Sequence, residues 1–335
     1  MATTIKDIAK QTGLGLATIS KYLNGGNVRE ENKILIEQAI KDLDYTVNHF
    51  ARSLKSKKSM TIGVVIPELS NTFITTIIVT IEDILRKKGY SVIICDCHSN
   101  SELEKEAIDF LLSKNVDGII NMPYTSSGTH LTHAIVKSVP VIIIDRYIES
   151  LGDKLDFVLI DNQKASYMAT KYLLEKGHKN IGILLGSKNI YTTGERLAGY
   201  NQAMSEYQIS PLQSNICHSD YTVQGGYENM RKILKDKTAT SVFVTNYEMT
   251  LGAIIAINEM DVKIPKDISI IGFDNLQLSQ VVHPKLTIVS QPLEEIGTKV
   301  SELLLKRLTD GNELPPVTIK LSTDLQIGGS ACQLT

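Results

Sequence analysis

Residues 4–24, TIKDIAKQTGLGLATISKYLN, hold two short amphipathic runs separated by a glycine-bearing turn. Thr4 suits an N-cap, and Asp7 three residues later makes an imperfect capping box. Ile5, Ile8 and Ala9 then share one helical face, and Gly13 ends the helix. Leu16, Ile19 and Leu23 repeat at helical spacing and stop at Asn24-Gly25-Gly26, a run of C-cap and turn residues. A third apolar set, Ile34, Ile36, Ala39, Ile40 and Leu43, follows Glu30 and Glu31, whose charge suits a helix N-terminus. Two helices joined by a short turn containing Gly form the helix-turn-helix pattern. Ala9 lets the second helix cross closely, Gly13 permits the turn, and Ile19 buries the second helix against the others. A plain three-helix bundle without a ligand is the alternative.

Charge separates this segment from the rest of the chain. The 335 residues carry a net charge of -2, but residues 1–60 hold ten Lys or Arg against six acids, +4, leaving 25 against 31, or -6, in the remainder. Such asymmetry points to nucleic acid or membrane contact by the basic part, although a solvated helical face gives similar counts. Residues 48–59 are rich in Lys, Arg and Ser and read as a linker that orders on a polyanion. Leu54, apolar among charges, suits a wedge between base steps in a minor groove, or packing on its own domain.

From Met60 onward, β-rich apolar runs alternate with helical stretches. The runs are 61–66, 91–95, 118–121, 141–145, 157–160, 181–185, 241–245, 268–272 and 286–289; helical patterns include 77–88, 102–114, 163–176 and 195–207. This alternation predicts parallel sheets flanked by helices, with ligands at the carboxyl ends of the strands. About 275 residues exceed one such layer, so two similar lobes and a cleft between them are expected. Polar and aromatic residues follow the strands: Phe73, Asp96, Arg146, Tyr191, Arg196, Tyr221, Asn246, Asp274 and Gln291. Carboxylates, guanidiniums and amides beside aromatic faces suit a polyhydroxylated ligand.

The run Thr4–Lys10, then Ala17–Asn24, Tyr45 and Ala51–Leu54, resembles the lactose/purine repressor family of bacterial transcription regulators. The resemblance continues through 67–73, 116–120, 141–146, 177–179, 196–200, 272–274 and Gln291-Pro292, so it covers nearly the whole chain. It implies an α/β fold: a two-lobed periplasmic-binding-protein-like core with parallel sheets, preceded by a small all-α helix-turn-helix domain. The expected division is 1–46 for the DNA-binding domain, 47–60 for a hinge linker and 61–335 for the effector-binding and dimerisation core. Within the core, lobe one takes about 61–160 and 291–320, and lobe two about 161–290 and 321–335. By matching position, Leu16 and Ala17 read bases, Thr18, Ser20 and Lys21 contact phosphates or adjacent bases, and Leu54 is the minor-groove lever. Thr4, Asn27, Asn48, Ala51 and Lys55 complete the expected DNA-binding set. Phe73, Arg146, Arg196, Tyr221, Asn246, Asp274 and Gln291 line the effector cleft in the same comparison.

The chain departs from the pattern at four places. Gly15 replaces a common Ser N-cap, Val47 a frequent Pro, and Tyr247 the usual Asp after Asn246; the turn at Gly25-Gly26-Asn27 is short. The implied function is a sugar-responsive repressor that binds a palindromic operator as a homodimer. A phosphocarrier protein or a purine as effector is the alternative, and a transport solute-binding protein a more remote one. The Arg146 and Arg196 pair would also accept an acidic or phosphorylated sugar.

Other chemistry finds little support. Residues 1–20 lack an apolar signal region and no stretch of 18 apolar residues occurs, so a cytoplasmic chain without a membrane span is expected. Cys95-Asp96-Cys97-His98 invites a metal, but alternating strand directions send His98 away from the thiols, so no metal and no cofactor are predicted. Ser126–His130 offers hydroxyls and an imidazole in a loop without a nucleotide fingerprint. No nucleophile elbow or zinc-protease motif occurs, and an enzyme is not expected. His178 reads as a helix C-terminal charge and loop-packing residue. Without heptads after Gln326, a dimer is preferred to a tetramer.

Overall fold

The computed structural model describes residues 3–23, 25–45, 58–274, 276–310 and 314–334, and divides the chain into two units, Met1–Ser59 and Met60–Thr335. In the first unit α1 (Ile5–Thr12), α2 (Leu16–Leu23) and α3 (Glu30–Asp42) close on Ile8, Ile19, Ile36 and Ala39, each at most 1% exposed. Gly13 takes φ 69°, and its N–H donates to the Ala9 carbonyl (2.9 Å), ending α1 as only an unhindered residue does without strain. Asp7 accepts from the Thr4 amide (2.8 Å) and the Thr4 hydroxyl (2.7 Å), which fixes the start of α1. Ile34 differs from expectation. It is 60% exposed, because a residue two positions before Ile36 lies roughly 200° around the helix from the core-facing set.

The second unit holds two six-stranded sheets. In the first, the order is β11-β5-β4-β3-β1-β2, built from β1 (Thr61–Ile66), β2 (Ser91–Asp96), β3 (Gly118–Asn121), β4 (Val141–Ile144), β5 (Asp156–Ile160) and β11 (Thr318–Leu321), all parallel. The second runs β12-β10-β9-β8-β6-β7, from β6 (Ile181–Leu185), β7 (Ile216–His218), β8 (Ser241–Val244), β9 (Ser269–Phe273), β10 (Thr287–Ser290) and β12 (Asp324–Gln326). Only β12 pairs antiparallel there. Central strands such as β3, β4 and β6 are buried along their whole length, which is why they read as continuous apolar runs rather than alternations. The three-residue edge strand β7 is too short to carry such a signal.

Helices flank both sheets: α4 (Thr72–Lys87), α5 (Ser101–Ser113), α6 (Thr132–Val136), α7 (Asn162–Glu175), α8 (Tyr191–Glu206), α9 (Val223–Asp236), α10 (Tyr247–Glu259), α11 (Leu276–Val281) and α12 (Leu293–Asp310). The chain passes between the sheets three times: from β5 to α7, from β10 to α12 and from β11 to β12. Helix α12 packs on α4 and the first sheet, where Arg307 donates to both Asp156 oxygens (2.7 Å each) and to the carbonyls of Leu314 and Pro315. Helices α9 and α10 touch backbone to backbone. A Cβ on Gly252 would lie 1.9 Å from the Val223 carbonyl oxygen, so no larger residue fits.

His178 is 2% exposed, with Nε2 donating to the Cys332 carbonyl (3.1 Å) and Nδ1 2.9 Å from the Thr240 hydroxyl. Burial pulls its pKa below the ordinary histidine value, so it joins β8 and the C-terminal segment as a neutral ring and not as the expected charge.

Candidate functional site

On the first unit, α2 buries Ile19 and turns Leu16, Ala17 and Lys21 outward, with Thr18 and Ser20 half-buried. Leu16 is 45% exposed and takes no part in the core, an arrangement that leaves an apolar contact free at the first turn of the helix. The Gly15 carbonyl accepts from Thr18 (2.9 Å), but a glycine supplies no capping side chain, so α2 begins with free N–H groups that suit a phosphate. Thr4 and Asn27 are exposed, and the Thr4 hydroxyl is already held by Asp7. Gly26 folds back to donate to the Lys21 carbonyl (2.8 Å), which keeps the turn after α2 tight. Asn48, Ala51, Leu54 and Lys55 lie outside the described residues.

The second unit has a cavity of about 1200 Å³ at the carboxyl ends of both sets of strands. Phe73, Arg146, Arg196, Tyr221, Asn246, Asp274 and Gln291 line it together. Their positions follow from local structure. Asn71 caps α4 by accepting from the Phe73 amide (2.9 Å), and Asn246 caps α10 by accepting from the Met249 amide (3.1 Å), so two helix N-termini open on the cavity. Asp145 and Asp274 directly follow β4 and β9 with φ 69° and 61°, and Tyr221, in the loop between β7 and α9, takes φ 65°, a left-handed backbone at each of the three. The Tyr221 ring crosses so close to Gly186 that a Cβ there would meet it at 2.0 Å; its hydroxyl lies 2.8 Å from that of Thr193.

Arg196, 4% exposed, is the centre of the lobe-two wall. It donates to Asn162 Oδ1 (2.8 Å) and to the Thr245 carbonyl, and its guanidinium stacks 4.2 Å from the centre of the Phe273 ring. Asp274 sits deep at the cavity floor, although part of the residue remains accessible, and accepts from Gln291 Nε2 (2.9 and 3.1 Å). Burial raises its pKa to about 7, against a downward pull from Arg196 and Gln291. On the opposite wall Arg146 donates to the carbonyls of Pro123 (2.9 Å) and Tyr124 (3.1 Å), which braces the loop after β3.

Two expected residues fall elsewhere. Asp96 does not line the cavity; its carboxylate accepts from the Leu69 (2.9 Å) and His98 (2.8 Å) amides and ties the loop after β1 to the end of β2. Tyr191 is half-buried against Tyr147, with ring centres 6.0 Å apart, because α8 begins at Tyr191 and turns that side chain away from the cavity.

Other residues were missed by sequence reasoning. The Ser126–His130 loop forms part of the wall through Ser126, Ser127, Thr129 and His130. Beneath it the buried Glu104 carboxylate accepts from the Tyr124 amide (2.8 Å) and Asn121 Nδ2 (3.2 Å), and His130 Nε2 donates to Asn121 Oδ1 (2.9 Å). Burial lowers the His130 pKa, while Glu104 pulls it upward. Tyr247, already marked in the sequence as a departure, lines the cavity, and so does Glu248, which the sequence did not mark and whose Oε1 accepts from Asn71 Nδ2 (2.8 Å) in the other lobe. An acid in the first turn of a helix reads as a complement to the helix dipole, which hid Glu248.

The sequence matches two family profiles: "Bacterial regulatory proteins, lacI family" over residues 4–48, and "Periplasmic binding proteins and sugar binding domain of LacI family" over residues 59–323. This chain belongs to the lacI family. Among its relatives, the HTH-type transcriptional repressor PurR of Histophilus somni is 35% identical over 311 residues, covering 92% of each chain. Catabolite control protein A of Priestia megaterium is 35% identical over 309 residues, covering 91% of this chain and 92% of its own. A lacI-family regulator from Enterococcus faecium, solved with bound ribose, superposes with a TM-score of 0.74 at 30% identity, covering 82% of this chain and 100% of its own. As a lacI-family member the protein is a DNA-binding transcription regulator with an effector-binding core. No described helix is long and apolar enough to cross a membrane.

Proposed function

We propose that this protein is a repressor whose operator affinity is set by a sugar-like effector in the cleft of the second unit. The observation that carries the reading is the convergence of Arg196, Asp274, Asn246 and Gln291 with the rings of Phe73 and Tyr221 on one cavity. Fixed amide, carboxyl and guanidinium groups sort hydroxyls by direction, and aromatic faces cover C–H surfaces. The ribose-bound Enterococcus faecium regulator supports a sugar as the ligand class.

At the DNA, Leu16 and Ala17 of α2 read base edges and Thr18, Ser20 and Lys21 meet backbone, with Leu54 entering a minor groove. A homodimer presents two such helices and demands a two-fold symmetric operator. Effector binding favours one arrangement of the lobes and so alters the DNA-competent state, by no more than its preference for that arrangement. The test is operator binding by Leu54→Ala and by Arg196→Ala, with and without an effector found by thermal-shift screening of sugars, sugar phosphates and nucleobases. Loss of affinity in the first and of effector response in the second are expected; intact affinity and intact response overturn the mechanism.

A further inference from the structure

The charge inventory of the cavity is unequal. Six carboxyl groups line it, on Glu68, Glu102, Asp145, Asp220, Glu248 and Asp274, against three cations, Lys105, Arg146 and Arg196. Even with Asp274 holding its proton, five acids face three bases. Both guanidiniums are also partly engaged by the protein. Arg146 donates through Nη1 to the Pro123 and Tyr124 carbonyls and lies 3.6 Å from Asp145 Oδ2, its Nε without a hydrogen-bond partner among the described residues, and Arg196 donates through Nε and Nη1 to Asn162 and the Thr245 carbonyl and stacks on the Phe273 face.

Glu248 sharpens the imbalance. It bridges the lobes, accepting at Oε1 from Asn71 Nδ2 (2.8 Å) and at Oε2 from Asn246 Nδ2 (2.6 Å). Both donors are neutral amides, and among the described residues Glu248 makes no ion pair. A carboxylate held without a cation projects its charge into the low-dielectric space beside it. Burial and the neighbouring Glu68 raise its pKa, in keeping with a site short of positive charge.

Resting on the reading of the cavity as a sugar site, we propose that it takes a non-anionic sugar and rejects sugar phosphates and sugar acids, with Glu248 setting this charge selectivity. The two arginines, outnumbered by the acids and each already engaged on one side by protein carbonyls or an amide, then serve ligand hydroxyls in place of a ligand phosphate. Hydroxyls can donate to the carboxylate oxygens of Glu248 and Asp145, whereas a phosphate dianion has no proton to give them and is repelled by their charge.

The test is titration calorimetry of the full chain with glucose, glucosamine, glucose 6-phosphate, gluconate, ribose and ribose 5-phosphate. For any sugar that binds, the uncharged or amino form is expected to bind at least about tenfold tighter than its phosphate or acid, from like-charge repulsion across a desolvated site. Glu248→Gln should narrow that gap by about tenfold, and Glu68→Gln by less, in proteins whose thermal unfolding confirms a folded core. A phosphorylated or acidic member that binds tighter than its parent overturns the charge selectivity and leaves the sugar reading standing. An unchanged gap in both folded variants overturns the assignment to Glu248. Absence of binding to all six overturns the sugar reading itself, and this inference with it.

Discussion

In the helical unit, Leu16, Ala17 and Lys21 stand out from α2 while Ile8, Ile19 and Ile36 hold it from behind, so the side chains proposed for recognition are not those that hold the fold. In the two-lobed unit the side chains proposed for recognition also hold the structure together. Arg196 is 4% exposed, anchors two segments and still faces the cavity, and Glu248 faces the cavity while joining the lobes. The difference teaches that substitutions in the reading head should separate into structural and functional classes, while substitutions in the cleft should not.

The largest expected effect is that of Ile19→Ala. Removing a fully buried branched side chain from a core of four costs about 2–5 kcal/mol, enough to unfold so small a unit. Calorimetry should show the core transition unmoved and operator binding abolished; a shift of both transitions together would break the comparison. Next is Arg196→Ala, which leaves Asp274 and the Thr245 carbonyl without their cation and is expected to cost about 3 kcal/mol of core stability, as for a broken buried charge contact. Core unfolding and effector response should fall together here, and a variant that loses only the response would show that the cleft too can separate the two.

Leu16→Ala is smaller and of one kind. Loss of an apolar base contact should lower operator affinity by about 1–3 kcal/mol, with helical-unit unfolding changed by less than about 0.5 kcal/mol. Asp274 adds a dependence on pH. Its carboxyl keeps its proton in the native cleft up to about pH 7 but releases it near the ordinary carboxylate value once unfolded, so the native state binds more protons between these limits. Core stability therefore falls as pH rises from about 4 through about 7. Asp274→Asn should flatten that fall in a melting-temperature series; an unchanged slope would remove Asp274 as its source.

Much of the architecture was legible because parallel strands buried on both faces leave continuous apolar runs, and Asn or Asp caps mark the helices that follow. The site was legible where a residue sits at a strand end in a left-handed turn, as Asp274 does. It failed where short-range partners decide direction. Asp96 also ends a strand, but two loop amides occupy its carboxylate, and Tyr191 belongs to a helix that begins one turn before its apolar pattern shows. Nothing in the local sequence announces that Glu248 meets Asn71, 177 positions away. The contact exists only once the loops at the strand ends of two separate sheets meet across the cavity.

The left-handed backbone at Asp145, Tyr221 and Asp274 has a practical consequence for redesign. Gly, Asn and Asp accept that conformation most readily, so most other substitutions at Asp145 and Asp274 would start about 1–2 kcal/mol less stable, a cost that Tyr221 already bears. Tyr247 and Thr125 line the same cavity and are absent from the positive-φ set, so they can be diversified at little conformational cost. An engineer seeking a sensor for a new sugar should vary those two and leave the three turn residues as the fixed frame on which any new specificity is built.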